Sequence, residues 1–191
     1  ENTTGDQNTA VGVNALEGNT TASNNTAIGY FALDANTTGT RNTAVGAYAL
    51  DANTTASYNN AIGKEALTTS TTGEKNNAIG FQALRAGGKG VQVAVGYRAL
   101  TDCNSTGYWN VATGSDSLRQ VTSGKMNVAN GTSTLSDITT AEKNTAIGHQ
   151  AGKTLYSGNN NIMIGYHAYA SGSHVSNEIT LGNSLRRILL S

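Results

Sequence analysis

The chain has no proline and one cysteine, and its 191 residues include only two phenylalanines and one tryptophan. Charged residues make up 13% and aromatic residues 6%. Each scarcity excludes something. A lone Cys103 rules out an internal disulfide and a cysteine-built metal cage. The missing proline keeps every backbone N–H available for long hydrogen-bonded ladders. Twelve basic residues balance twelve acidic ones, so no global field draws the chain to nucleic acid or to an anionic membrane. No apolar run approaches the ~18 residues that a membrane helix needs, so no membrane insertion is expected. The opening segment ENTTGDQNTAVG has neither the basic nor the apolar region of a signal peptide, and it starts inside a repeat. That start fits a fragment or a processed piece.

Asn, Thr, Gly, Ala and Ser dominate. Without a pattern such a composition means disorder. Here there is a pattern. Aligned on the glycine that closes NTAVG or NTAIG, eleven copies cover residues 1–182, at Gly12, Gly29, Gly46, Gly63, Gly80, Gly96, Gly114, Gly131, Gly148, Gly165 and Gly182. The spacing is 17, except 16 before Gly96 and 18 after it. The consensus is N-T-A-I/V-G-x-x-A-L-x-x-N-T-T-G-x-x. Seventeen residues are too few for a two-helix repeat, which needs more than about thirty. They suffice for one coil of a parallel β-solenoid, or β-roll. The residues before the glycine favour strand, NTTG favours a turn, and the Ala-Leu step is open between a turn and one turn of helix. Stacked at about 4.8 Å per rung, eleven coils make an all-β rod roughly 50 Å long. Stacking also aligns the Asn side chains into amide ladders. Each phased glycine is expected to serve a positive-φ bend or a close backbone approach.

Neighbouring strand residues face opposite ways, yet Ala27 and Ile28 are both apolar, as are their counterparts in most copies. A lone solenoid has one interior. Two apolar faces imply that one fills the coil and the other meets a partner, most simply in a cyclic homo-oligomer.

Segments such as NTAIGYFAL and NTAVGAYAL resemble the head repeats of YadA-type trimeric autotransporter adhesins. The 17-residue form is also similar to segments of phage tail fibres and related surface fibres. That resemblance implies a homotrimer, an extracellular place on a virion tail fibre or a bacterial surface, and attachment to a cell-surface glycan or receptor. The end of the chain, NEITLGNSLRRILLS, resembles the stretch that precedes an endosialidase-type intramolecular chaperone in such fibres. It implies that residues 183–191 are a tail ending at a chaperone-cleavage point.

Several motifs look like chemistry. IGHQAGKT, from Ile147 to Thr154, looks like a phosphate-binding loop, but a P-loop needs G-x-x-x-x-G-K-[ST] and Gly148 to Gly152 is one residue short. Gly148 is simply the ninth phased glycine. His149, His167 and His174 fall on neighbouring coils, and their phase sends the first two to different faces, which is poor metal geometry. No cofactor or metal is expected. Glu65 and Asp116 share a repeat position but lie three coils apart, about 14 Å by the rung spacing, too far for either glycosidase geometry. No catalytic residue is therefore assigned, and an enzyme is not expected. A fibre-borne polysaccharide depolymerase is the rival reading. The Thr pairs of NTTG repeat like an ice-binding array, though the motif is a turn signature. The N-x-T/S triplets at Asn2, Asn19, Asn36, Asn53 and Asn104 are read as turns rather than glycan acceptors. Aromatic residues collect after the glycines. Beside Asn and Asp, such rings suit sugar faces. The candidate glycan contacts are Tyr30, Phe31 and Tyr48, with Tyr108, Trp109 and Asn110 at the phase slip.

Overall fold

A computed structural model describes residues 2–104 and 106–183. The residues of the expected cleavage tail beyond 183 lie outside the described residues. The chain is an all-β parallel solenoid. Eleven three-residue strands are β1 (Thr9–Val11), β2 (Thr26–Ile28), β3 (Thr43–Val45), β4 (Asn60–Ile62), β5 (Asn77–Ile79), β6 (Val93–Val95), β7 (Val111–Thr113), β8 (Val128–Asn130), β9 (Thr145–Ile147), β10 (Ile162–Ile164) and β11 (Ile179–Leu181). They form one sheet in sequence order, each pairing in parallel with the next. The register is strictly repeat on repeat: Thr26 on Thr43, Ala27 on Ala44, Ile28 on Val45. The Ala-Leu step, left open above, is a turn; no helix occurs among the described residues.

The phased glycines explain why nothing else fits there. From Gly12 to Gly165 their φ runs from +121° to +140°, where L side chains are strained. A Cβ on Gly46 would also lie 2.6 Å from the carbonyl carbon and oxygen of Gly63. Glycine stacks on glycine, and the rungs close up.

The next corner is more costly. The residues two and four after the glycine also take positive φ, among them Phe31 at 55° and Leu33 at 52°. Left-handed backbone costs about 1–2 kcal/mol at a side-chain-bearing residue. Burial of a leucine side chain contributes about 1.5–3 kcal/mol. Leu33, Leu50, Leu67, Leu84, Leu100, Leu118 and Leu135 are all fully buried, so burial wins at each corner. The corner backbone is not left unpaired either: the Leu33 N–H donates to the Ala49 carbonyl of the next coil at 3.0 Å.

Alongside the alanines and leucines, the interior holds an asparagine ladder. Each ladder residue accepts, at Oδ1, the backbone N–H of its counterpart one coil on, at 2.9–3.0 Å. Each donates from Nδ2 to the carbonyl fourteen residues on, at 2.8–2.9 Å. Those donors are Asn8, Asn25, Asn42, Asn59, Asn110, Asn127, Asn144 and Asn161. The ladder breaks at Asn76, where neither side-chain atom has a partner. Asn76 precedes the coil that is one residue short. Gln92 restarts the ladder there, accepting the Asn110 N–H at 3.2 Å and donating to the Gly107 carbonyl at 2.8 Å.

A second ladder runs through the NTTG turns, with Asn19, Asn36 and Asn53 donating to the residue seventeen before. These three asparagines are buried, which is incompatible with glycan attachment in the fold. Beyond Ser70 and Gly87 the same column becomes Cys103, Val121, Ile138 and Leu155, all buried. The amide ladder in the first half of the rod gives way to an apolar column in the second.

Candidate functional site

In every strand from β2 to β11 the central residue is buried in the interior. Ala27, Ala44, Ala61, Ala78, Ala94, Ala112, Ala129 and Ala146 are fully buried. The larger aliphatic neighbour faces out: Val11, Ile28, Ile62, Ile79, Ile147, Ile164 and Leu181 are 38–58% exposed. In β7 and β8 the outward column turns polar, at Thr113 and Asn130. The other outward position of those strands then becomes Val111 and Val128, where most earlier strands carry Thr or Asn. Every strand therefore presents an outward valine, isoleucine or leucine. By the rung spacing, this apolar stripe is roughly 48 Å long.

The predicted aromatic contacts divide. Tyr30, Phe31 and Tyr48 do come together, with centroids 4.4 Å apart for Tyr30–Phe31, 5.4 Å for Tyr30–Tyr48 and 5.7 Å for Phe31–Tyr48. Tyr30 is exposed and the other two are half-buried. Tyr108 and Trp109 meet edge to face at 4.9 Å, Trp109 is exposed, and the Lys125 ammonium lies over the Tyr108 ring at 5.4 Å. Asn110 is not at the surface. It is a fully buried rung of the asparagine ladder, and its amide is already used.

The histidines also need a correction. Phase arithmetic sent His149 and His167 to different faces, yet their rings stack with centroids 5.6 Å apart, and Tyr166 stacks on both. Successive positive-φ corners turn the side chains in a way that strand alternation does not describe. Among the described residues, no group of three histidine, cysteine or carboxylate side chains is arranged to hold a metal. The Thr pairs lie in bends rather than on a flat strand face. Thr37 Oγ1 and Thr3 Oγ1 donate to the Thr54 and Thr20 carbonyls of the following coil.

A groove of about 220 Å³ crosses the coils of Gly96, Gly114, Gly131 and Gly148, lined by Arg98, Asp116, Arg119, Ser133, Ser136, Asp137 and Lys153. It exists because the position two after the glycine, filled by Phe31, Tyr48, Glu65 and Gln82 in earlier coils, shrinks to Asp116 and Ser133. Asp137 Oδ1 accepts from Ser136 Oγ at 2.7 Å, and Asp116 Oδ1 lies 3.8 Å from Arg119 Nε. The Nε atoms of Arg98 and Arg119 are both buried with no hydrogen-bond partner.

Comparison with protein-family models, curated proteins and solved structures gives no match to this chain. No helix among the described residues is long and apolar enough to cross a membrane.

Proposed function

We infer that this chain is a self-associating structural segment of a fibre or adhesin, packed as a homotrimer outside the cell, that serves attachment to a cell surface. The observation that carries the reading is the apolar stripe. Exposed apolar patches of this extent mark association surfaces. The stripe also limits its occupant. A partner that covers eleven rungs needs outward side chains at the same rung spacing, and a second copy of this solenoid has them by construction. Closed cyclic symmetry then leaves no stripe uncovered. The similarity of NTAIGYFAL and NTAVGAYAL to trimeric adhesin heads supports three copies around one axis. Rigidity comes from the ladders, and weak contacts repeated on three chains give avidity.

The test of attachment is binding of the intact, fluorescently labelled assembly to bacterial and animal cells and to a glycan array. Saturable binding to cells supports the reading, and absence of binding to every surface defeats direct contact. The groove favours one rival specifically, since Asp116 and Asp137 both line it and a polysaccharide depolymerase needs two carboxylates. The groove wall is polar throughout, without the apolar enclosure that commonly tunes a catalytic acid. A reducing-end assay on capsular polysaccharide separates hydrolysis from binding.

A further inference from the structure

We propose that the groove lined by Arg98, Asp116, Arg119, Ser133, Ser136, Asp137 and Lys153 binds one carboxylate-bearing sugar unit of an acidic glycan. The proposal rests on the attachment reading and names the ligand class. The first argument is charge. Three cations face two carboxylates. Among the described residues neither Arg98 nor Lys153 takes part in an ion pair, and Arg119 meets Asp116 only at 3.8 Å. Among the described residues neither the Arg98 nor the Arg119 side chain donates a hydrogen bond, and their Nε atoms are buried, so the unused donors that a ligand could meet are the outer guanidinium nitrogens. A planar fork of donors matches a carboxylate with two parallel hydrogen bonds.

The second argument comes from the carboxylates. Asp116 and Asp137 would repel a bare anion such as sulfate. They accept hydrogen bonds, and so call for a ligand that carries hydroxyl donors beside its negative charge. Ser133 and Ser136 can serve either role. Anionic acceptor and hydroxyl donors on one small body describe a uronic or nonulosonic acid. The third argument is size and lining. The groove is smaller than the roughly 300–1,000 Å³ of drug-sized sites, which suits a single ring of a longer chain. It has no apolar or aromatic lining residue. A lipid, or a neutral sugar held by ring stacking, would find no surface to match.

The repeat supplies the control. The position of Ser133 in the coil of Gly46 is Tyr48, with φ 59° against 53° at Ser133. Ser133→Tyr therefore fills the groove with a side chain the coil already accommodates elsewhere. Arg98→Gln removes a charge and keeps the stem. The experiment is titration of the intact assembly, by calorimetry and NMR, with uronic-acid tetramers and sialyllactose, each beside its methyl ester, and with sodium sulfate at matched ionic strength. The proposal expects at least one carboxylated sugar to bind, with its ester weaker by about 10- to 150-fold. Both variants should lose affinity in the same range with an unchanged circular dichroism spectrum. Tyr30→Ala, in the separate aromatic cluster, should bind as the parent. The proposal fails if no acidic sugar binds at millimolar concentration. It also fails if ester or sulfate binds as well as the acid, or if a folded Ser133→Tyr binds unchanged. The attachment reading is judged separately on cells. Cell binding that survives Ser133→Tyr, with no acidic-sugar binding, sinks the groove alone. Acidic-sugar binding at the groove, without adherence of the assembly to cells, sinks attachment alone.

Discussion

Replacement of Asn127 by alanine tests the asparagine ladder most sharply, because the ladder contains its own control. Asn127 Oδ1 accepts the Asn144 N–H at 3.0 Å, and its Nδ2 donates to the Ala141 carbonyl at 2.8 Å. Alanine leaves both backbone groups buried without a partner. Each unsatisfied group costs about 1–3 kcal/mol, so Asn127→Ala should destabilise by about 2–6 kcal/mol. For a chain of this length 1 kcal/mol lowers Tm by about 2–4 °C, which makes the expected fall roughly 4–24 °C. Asn76 is equally buried, at the same repeat position, but its amide has no partner at either atom. Asn76→Ala removes two unsatisfied polar atoms and should change stability by less than about 1 kcal/mol. Thermal unfolding followed by circular dichroism compares them at one protein concentration, since association raises apparent stability by mass action. Equal falls in Tm for the two variants would refute the account, because they would show that the amide bonds contribute nothing beyond side-chain volume.

Other consequences follow from single positions. Gly46→Ala places a Cβ 2.6 Å from the Gly63 carbonyl at φ +135° and should cost at least about 2–3 kcal/mol, read as a fall in urea midpoint. Asp51 has its pKa raised, first by burial and then by Asp34 beneath it, and Asp34 is raised by burial and by Glu17. A carboxyl raised in the fold binds protons more tightly there than in the unfolded chain. Its share of stability is therefore highest in acid and is lost as pH rises through the folded pKa. Asp51→Asn should raise Tm at pH 7, and the gain should shrink as pH falls through the raised folded pKa and be lost once pH is below the ordinary value of 3.8. The Cys103 thiol is pushed up to about 11 by burial, against a smaller opposing effect of the Gln92 amide. A thiol reagent at pH 8 should leave it unmodified in the fold and label it in denaturant.

Much of the fold was legible because the repeat writes it eleven times. The phased glycines announced a position that tolerates no side chain, and the close stacking of Gly46 on Gly63 is the reason. The Asn column announced a ladder for the same reason. What period-2 logic could not supply was the direction of the strand. Ala27 and Ile28 are both apolar, and only coil width decides that the smaller one goes inside. Corner geometry was equally hidden, since leucine carries no sequence signal for positive φ; burial imposes it at Leu33. Asn110 was misplaced because it sits at the phase slip beside exposed aromatics, although Gln92 carries the ladder across that slip and Asn110 is its next rung. The groove was invisible for a different reason. It is made by what Ser133 lacks relative to Tyr48, and such an absence shows only when the coils are stacked.

The outward stripe from Val11 to Leu181 carries the central claim, and the native mass in solution tests it most directly. Light scattering on a sizing column should give three times the 19.6 kDa chain mass. Ile62→Lys combined with Ile79→Lys, each placing a charge on that face, should shift the mass toward one chain while the coil keeps its circular dichroism. A parent chain that is folded and of single-chain mass at micromolar concentration would contradict the account, because the apolar stripe would then face water along its whole length.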